Sequence, residues 1–197
     1  MIAFVQGKFV EKDPTMVVVL AGGLGYELKI SLNTFSEIKE KEEGKLHTHF
    51  HVKEDSQTLF GFSQFSEKKR FLDLISINGV GPSTALMVLS SLSPSEIQQA
   101  IINEDVKTIQ SVKGIGLKTA QRMVLELKDK MRKEGLLEKS NEIQLPTSNT
   151  RTDEALSALI TLGIGKPAAE KTIRQIIKEY GSEIQLEELI KLALKRA

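Results

Sequence analysis

Two short segments of this 197-residue chain repeat one chemical pattern. Ile77-Asn78-Gly79-Val80-Gly81-Pro82 precedes Ala85, Leu86, Val88 and Leu89; 35 residues later Val112-Lys113-Gly114-Ile115-Gly116-Leu117 precedes Ala120, Met123, Val124 and Leu127. Each copy reads as helix, apolar-Gly-apolar-Gly turn, helix. The glycines open backbone conformations closed to other residues and permit close approach of a ligand. The apolar residue between them, Val80 or Ile115, anchors the turn. What remains is a set of backbone N–H groups at a helix N-terminus, aimed outward, where an anion is favoured. One copy alone would do no more than end a helix tightly. Two copies with matching apolar flanks predict a grip on two phosphates of DNA without readout of any base. The candidate contacts are Asn78, Gly79, Val80, Gly81 and Ser83 in the first copy. In the second they are Lys113, Gly114, Ile115, Gly116, Lys118, Thr119 and Arg122. Lys118 and Arg122 are four apart and share one helix face. This is the helix-hairpin-helix pattern.

Other residues are candidates for different chemistry. His47, His49 and His51 alternate, which places three imidazoles on one face of a strand. Metal ligation is the sharper interpretation. No carboxylate shares the alternation, so a solvated strand face opposite Thr48, Phe50 and Val52 is the expectation, with no metal site. Glu54-Asp55 follows at a turn, where two adjacent carboxylates serve solubility, ligate a nuclease metal, or repel phosphates and so guide DNA. A third Gly-x-Gly, Gly163-Ile164-Gly165-Lys166, reads as a helix-end turn. Gly22-Gly23-Leu24-Gly25 lies between strand signals and reads as a hairpin turn. No Gly-x-x-x-x-Gly-Lys-Ser/Thr sequence occurs, which excludes a P-loop.

These residues sit in regions of different period. Over residues 1–63, Phe4-Val5, Met16 to Leu20, Tyr26 to Ile30, His47 to Val52 and Thr58 to Phe62 read as short strands. The separating turn signals are Asp13-Pro14, Gly22 to Gly25, Asn33 and Glu43-Gly44. Five short strands predict a small barrel, an OB-fold or an SH3-like fold. Over 64–135, helical spacing marks Glu67 to Ile77, Pro82 to Leu92, a helix after the capping box Ser93-Pro94-Ser95-Glu96, Val106 to Val112 and Leu117 to Met131. Residues 136–150 show no period and read as a flexible linker. Over 151–197, Asp153 to Leu162, Pro167 to Tyr180 and Leu186 to Lys195 predict three helices, stopped by Gly163 and Gly181.

Composition narrows the classes. Apolar residues make up 40% of the chain, enough for packed cores. With no Cys, disulfides, thiolate nucleophiles and Cys-ligated metals are excluded. The most apolar run, Met16 to Gly25, is half a membrane span and is broken by glycines. Met1 to Lys8 shows no basic leader ahead of an apolar stretch, which predicts a cytoplasmic protein without a signal peptide and without membrane contact. The net charge of +1 argues against nucleic acid only as a total. Residues 64–135 hold eleven basic against eight acidic side chains, and 113–133 hold seven against two.

The chain resembles, over its whole length, the bacterial RuvA family of Holliday-junction branch-migration proteins. The stretches that carry the resemblance are Met1-Ile2, Gly25-Tyr26-Glu27, Thr48-His49-Phe50 through Glu54-Asp55, and Phe60-Gly61-Phe62. With them go Asn78 to Pro82, Gly114 to Gly116 with Lys118-Thr119-Ala120, and Glu126-Leu127-Lys128-Asp129. The resemblance implies a mixed multi-domain fold: an N-terminal all-β OB-fold barrel over 1–63, a central all-α tandem helix-hairpin-helix domain over 64–135, and a C-terminal three-helix UBA-like bundle over 151–197. It implies structure-specific binding of four-way junctions in recombination and repair, by a subunit with no cofactor and no catalysis of its own. The first domain would form a homotetramer, with an octamer of two tetramers on one junction as the alternative. Glu54 and Asp55 would form an acidic pin at the junction centre. Leu159, Leu162, Ile164 and Leu194 would contact the hexameric RuvB ATPase, and the RuvC resolvase would be a further partner.

The chain departs from the family pattern at three places. Ser83 and Leu117 stand where basic residues are frequent, and Ile164 where an aromatic residue is frequent. Fewer phosphate-facing cations imply a shallower salt dependence. Two rival functions remain. A helix-hairpin-helix base-excision enzyme needs a catalytic Asp shortly after the hairpin, at the mouth of a base pocket. Glu126 and Asp129 instead lie on the following helix with no obvious pocket, and the strand domain would be unexplained. A protein adaptor would use the C-terminal helices and no DNA.

Overall fold

The computed structural model describes residues 1–141, 148–181 and 184–196. The chain forms two compact units, Met1–Leu136 and Leu137–Ala197. In the first unit β1 (Phe4–Asp13), β2 (Met16–Ala21), β3 (Leu24–Lys29), β4 (Glu43–Val52) and β5 (Gln57–Phe62) close a barrel in the order β1-β2-β3-β5-β4. A bulge between Phe9 and Glu11 lets β1 bend, so that its first half pairs with β4 and its second half with β2. β3 meets β5 in parallel at Lys29 and Phe60. Closure by β1 on β4, with a helix between β3 and β4, is the OB arrangement and settles the choice against an SH3-like fold. Alternation supplies the barrel core: Val17, Val19, Leu28 and Leu46 are buried inside while their strand neighbours are more exposed. Gly22 and Gly23 form the two-residue β2–β3 turn, both at positive φ, as expected for a hairpin.

Two expected turns are not turns. Asn33 lies in α1 (Leu32–Ile38), a helix capped by Ser31, whose side chain accepts the Thr34 N–H. Glu43-Gly44 opens β4 and pairs with Lys8 and Gly7 of β1. In both places partners distant in sequence override a local turn preference.

The helical part of this unit contains α2 (Phe65–Ile75), α3 (Pro82–Ser91), α4 (Pro94–Ile102), α5 (Val106–Gln110) and most of α6 (Leu117–Asn141). The capping box at Ser93 and Glu96 is formed, with Pro94 in the first turn. The expected boundary at residues 63 and 64 falls inside one continuous core. Phe60 and Phe62 of β5 pack their rings 5.0 and 4.9 Å from that of Phe71 on α2. A buried ion network fastens α2 to α6. Arg70 Nη1 reaches Asp73 at 2.8 Å and Arg70 Nη2 reaches Glu134 at 2.9 Å, while Lys130 pairs with Asp73. Helix α6 runs ten residues past the expected end at Met131, because Leu136, Leu137, Glu138 and Lys139 are all good helix formers. It thereby occupies part of the expected 136–150 linker, and residues 142–147 of that linker lie outside the described residues.

The second unit holds α7 (Ser148–Thr161), α8 (Lys166–Tyr180) and α9 (Leu186–Arg196) around Ala155, Leu159, Ile173, Ile176 and Leu189. α7 starts five residues earlier than the apolar period alone predicted, at Ser148. Gly181 caps α8 at positive φ, as a helix stop does. No described helix is long and apolar enough to cross a membrane.

Candidate nucleic-acid interface

The two hairpins are the same structure built twice. In the first, Val80 N–H donates to Ile77 O at 3.0 Å and Ala85 N–H donates to Gly81 O at 2.9 Å. In the second, Ile115 N–H donates to Val112 O at 3.1 Å and Ala120 N–H donates to Gly116 O at 2.9 Å. Gly79 and Gly114 have φ near +91° and +88°, a region that carries strain for a residue with a Cβ. Val80 and Ile115 are buried, as anchors of the turn should be. At Gly81 and Gly116 a Cβ would meet nothing within 4 Å, so the space over the second glycine of each turn is open, whereas a Cβ at Gly114 would meet Met87 Cε at 3.3 Å. Gly81 caps α3 without any side-chain hydrogen bond, which leaves the first-turn N–H groups of that helix free for an anion.

The hairpins are joined to each other. Arg122 Nη1 donates to Asn78 O at 2.9 Å, and Arg122 Nε lies 3.8 Å from Glu126 Oε1. Arg122, expected on the phosphate-facing side with Lys118, thus also braces one turn against the other, a role its spacing did not reveal. Ser83 and Lys113 line a common groove of about 580 Å³ with Leu86 and Met87. Asn78, Lys113 and Lys118 are exposed and Thr119 half-buried. Glu126 is engaged with Arg122, and Asp129 stands on the exposed side of α6.

Glu54 and Asp55 occupy the exposed turn between β4 and β5, where Lys53 N–H donates to Ser56 O at 2.8 Å. The three histidines do not form the expected solvated face. His47 packs edge-on to Phe65 at 5.7 Å, His49 lies 5.5 Å from Phe71, and His51 lies 6.3 Å from Phe60, all between ring centroids. α2 covers that face of β4 through Phe71, which is fully buried there, while Phe65 meets His47 from a largely exposed position. The Nε2 atoms of His49 and His51 are buried with no hydrogen-bond partner among the described residues. Burial, His51 and Lys68 hold the His49 imidazole below its ordinary pKa; burial, Lys45 and Lys68 do so for His47.

In the helical unit Leu162 and Leu194 are exposed and Ile164 is half-buried. Leu159, expected on the same contact surface, lies fully buried in the core, because α7 turns it toward Ile173 and Leu189. Its neighbour Ile160 is the exposed residue instead. The turn Gly163-Ile164-Gly165 ends α7 and caps α8, but its bonding differs from the two hairpins. Ile164 N–H donates to Leu159 O at 3.0 Å, five residues back instead of three.

Comparison with known proteins follows this layout. The RuvA N terminal domain model matches residues 1–61, the SAM-like helix-hairpin-helix tandem model 71–129, and the RuvA C-terminal domain model 150–197. A protein of Cytophaga hutchinsonii is 56% identical over 197 residues, with 99% of each chain covered. One of Christiangramia forsetii is 50% identical over 196 residues, with 100% of each covered, and one of Bacteroides fragilis 40% over 201, also with 100% covered. Each bears the name Holliday junction branch migration complex subunit RuvA.

Proposed function

The chain belongs to the RuvA family, and on that premise we propose that it binds four-way DNA junctions, holds them open and recruits the RuvB ATPase ring for branch migration. ATP hydrolysis belongs to that partner, and this chain contributes no catalytic group. The observation that carries the reading is the pair of hairpins with matching hydrogen bonds, open space over Gly81 and Gly116, and the Arg122–Asn78 brace that fixes their spacing.

The parts divide as follows. Residues 1–63 form the assembly domain and carry the acidic pin, Glu54 and Asp55. Residues 64–135 grip phosphates through Asn78 to Gly81, Ser83, Lys113 to Gly116, Lys118, Thr119 and Arg122. Residues 136–150 join them to 151–197, which docks on the motor through Ile160, Leu162, Ile164 and Leu194. Four copies form a tetramer, with a second tetramer able to close on the other face, and RuvC acts on the same junction. One hairpin pair cannot tell an arm of a junction from a duplex, whereas four pairs arranged with four-fold symmetry fit four arms together.

The test is a gel-shift titration with a four-way junction and a linear duplex of the same sequence. The junction is expected to bind at least ~100-fold tighter, as multivalent engagement predicts. Equal affinity for the two substrates would overturn the reading.

A further inference from the structure

The chain leaves the Glu54-Asp55 turn along β5 and enters α2 two residues after that strand ends, at Ser63-Gln64. α2 then leads into the first hairpin. The bend at Ser63-Gln64 is therefore the pivot between the acidic turn and the first phosphate grip. A six-residue strand spans about 20 Å, so a change of about 10° at the pivot moves the acidic turn by about 3 Å. That is the width of a phosphate contact.

The polar groups packed at this pivot come from α1. Ser31 Oγ donates to Glu67 Oε1, Thr34 Oγ1 donates to Glu67 Oε2 at 2.6 Å, and Ser63 N–H donates to Thr34 Oγ1 at 3.0 Å. Ser31, Thr34 and Glu67 are all 2% exposed or less. A carboxylate is costly to bury unless its oxygens are matched, so the node strongly favours one geometry. From the same short helix, Asn33 Nδ2 donates to Leu89 O at 2.6 Å and Leu92 O at 3.2 Å. Leu32 N–H donates to Ser90 Oγ at 3.1 Å. These acceptors lie at the end of α3, the helix whose start is the first hairpin. α1 thus holds α2 through Glu67 and α3 through Asn33, one on each side of the hairpin.

We propose that α1, through Asn33 and the Ser31–Thr34–Glu67 node, sets the register between the acidic turn and the hairpins, and so governs selectivity for junctions over duplex without touching DNA. The inference rests on the junction-binding reading above. These are positioning residues: their loss changes where the carboxylates meet the crossover, not how a hairpin holds a phosphate.

The experiment uses the full-length chain with Asn33→Ala and, separately, Glu67→Gln. Circular dichroism and thermal melting establish that each is folded. Affinity is measured for a four-way junction and for linear duplex, and 2-aminopurine beside the crossover reports unpairing. Duplex affinity is expected to stay within about twofold, while junction affinity falls about tenfold, the scale of one or two lost hydrogen bonds, and the 2-aminopurine signal drops. Unchanged junction preference and unpairing in the folded variants would overturn the proposal, as would an equal loss on both substrates. If Glu67→Gln fails to fold, Asn33→Ala decides, since its side chain is only half-buried. A wild-type chain that binds junction and duplex alike overturns the junction reading itself, and the proposal with it. That outcome is visible before any variant is made.

Discussion

The ring of His49 lies 5.5 Å from Phe71 and 6.4 Å from Phe60, both tilted against it, and its buried Nε2 has no hydrogen-bond partner among the described residues. Its imidazolium is disfavoured there by burial first, then by His51 and Lys68, and His47 is lowered in the same direction. An unfolded chain protonates these rings as the pH falls past about 6.5, whereas the folded chain resists until lower pH. Above that value both states are neutral and the histidines add no pH dependence. Below it the unfolded state binds more protons, so stability is lost as the pH falls toward the folded-state values. The urea midpoint is expected to be lower at pH 5.5 than at pH 7.5, and His49→Phe is expected to shrink that difference while keeping the aromatic packing. The same dependence in wild type and variant would refute the assignment. Alternation was enough to place three imidazoles on one side of β4. What covers that side is α2, which arrives later in the chain, and nothing between His47 and Val52 announces it.

At the scale of elements, the features legible in the sequence were those that are local and repeated. Each hairpin is a six-residue pattern whose two glycines and buried apolar anchor sit next to one another, so the fold adds little to it. α1 was missed because seven residues hold too few turns to show a period, and Asn33 has a turn preference that its bonds to Leu89 and Leu92 overrule. The error at Leu159 is one of helix phase. Adjacent residues on a helix point about 100° apart, so which of Leu159 and Ile160 faces outward depends on where α8 and α9 sit. Exposure of 0% for Leu159 against 44, 60 and 45% for Ile160, Leu162 and Leu194 divides packing from contact. Leu159→Ala is expected to cost about 2–5 kcal/mol in this unit by leaving a cavity, read as faster amide exchange across α7–α9. Leu162→Ala with Leu194→Ala is expected to leave that exchange within about 0.5 kcal/mol of wild type and still weaken binding to the RuvB ring. If Leu159→Ala proved silent in exchange, the phase of α7 would be wrong.

At the scale of the whole molecule, a net charge of +1 is a sum of unlike parts. Residues 1–63 carry seven basic and nine acidic side chains, 64–135 eleven and eight, and 136–197 nine and nine. The cations gather at the second hairpin and the start of α6, while the carboxylates of Glu54 and Asp55 stand on an exposed turn. In a tetramer that turn would be repeated about the centre of the junction, and like charges there raise the cost of bringing a phosphate in. Glu54→Gln with Asp55→Asn removes that cost without changing shape. Affinity for linear duplex is then expected to rise about three- to tenfold at low salt, and the gain to shrink as ionic strength shortens the Debye length below about 10 Å. The hairpins set a separate limit. With Ser83 and Leu117 in place of cations, the slope of log affinity against log salt should be shallower by roughly 0.9 for each phosphate contact not made. Ser83→Lys is expected to steepen it by about that amount on junction and duplex alike. The two substitutions therefore separate in one salt titration: the pin variant acts most where screening is weak, and Ser83→Lys changes the slope throughout. Reduced duplex binding by the pin variant would mean that Glu54 and Asp55 attract some part of the DNA complex, and repulsion would be the wrong account of them.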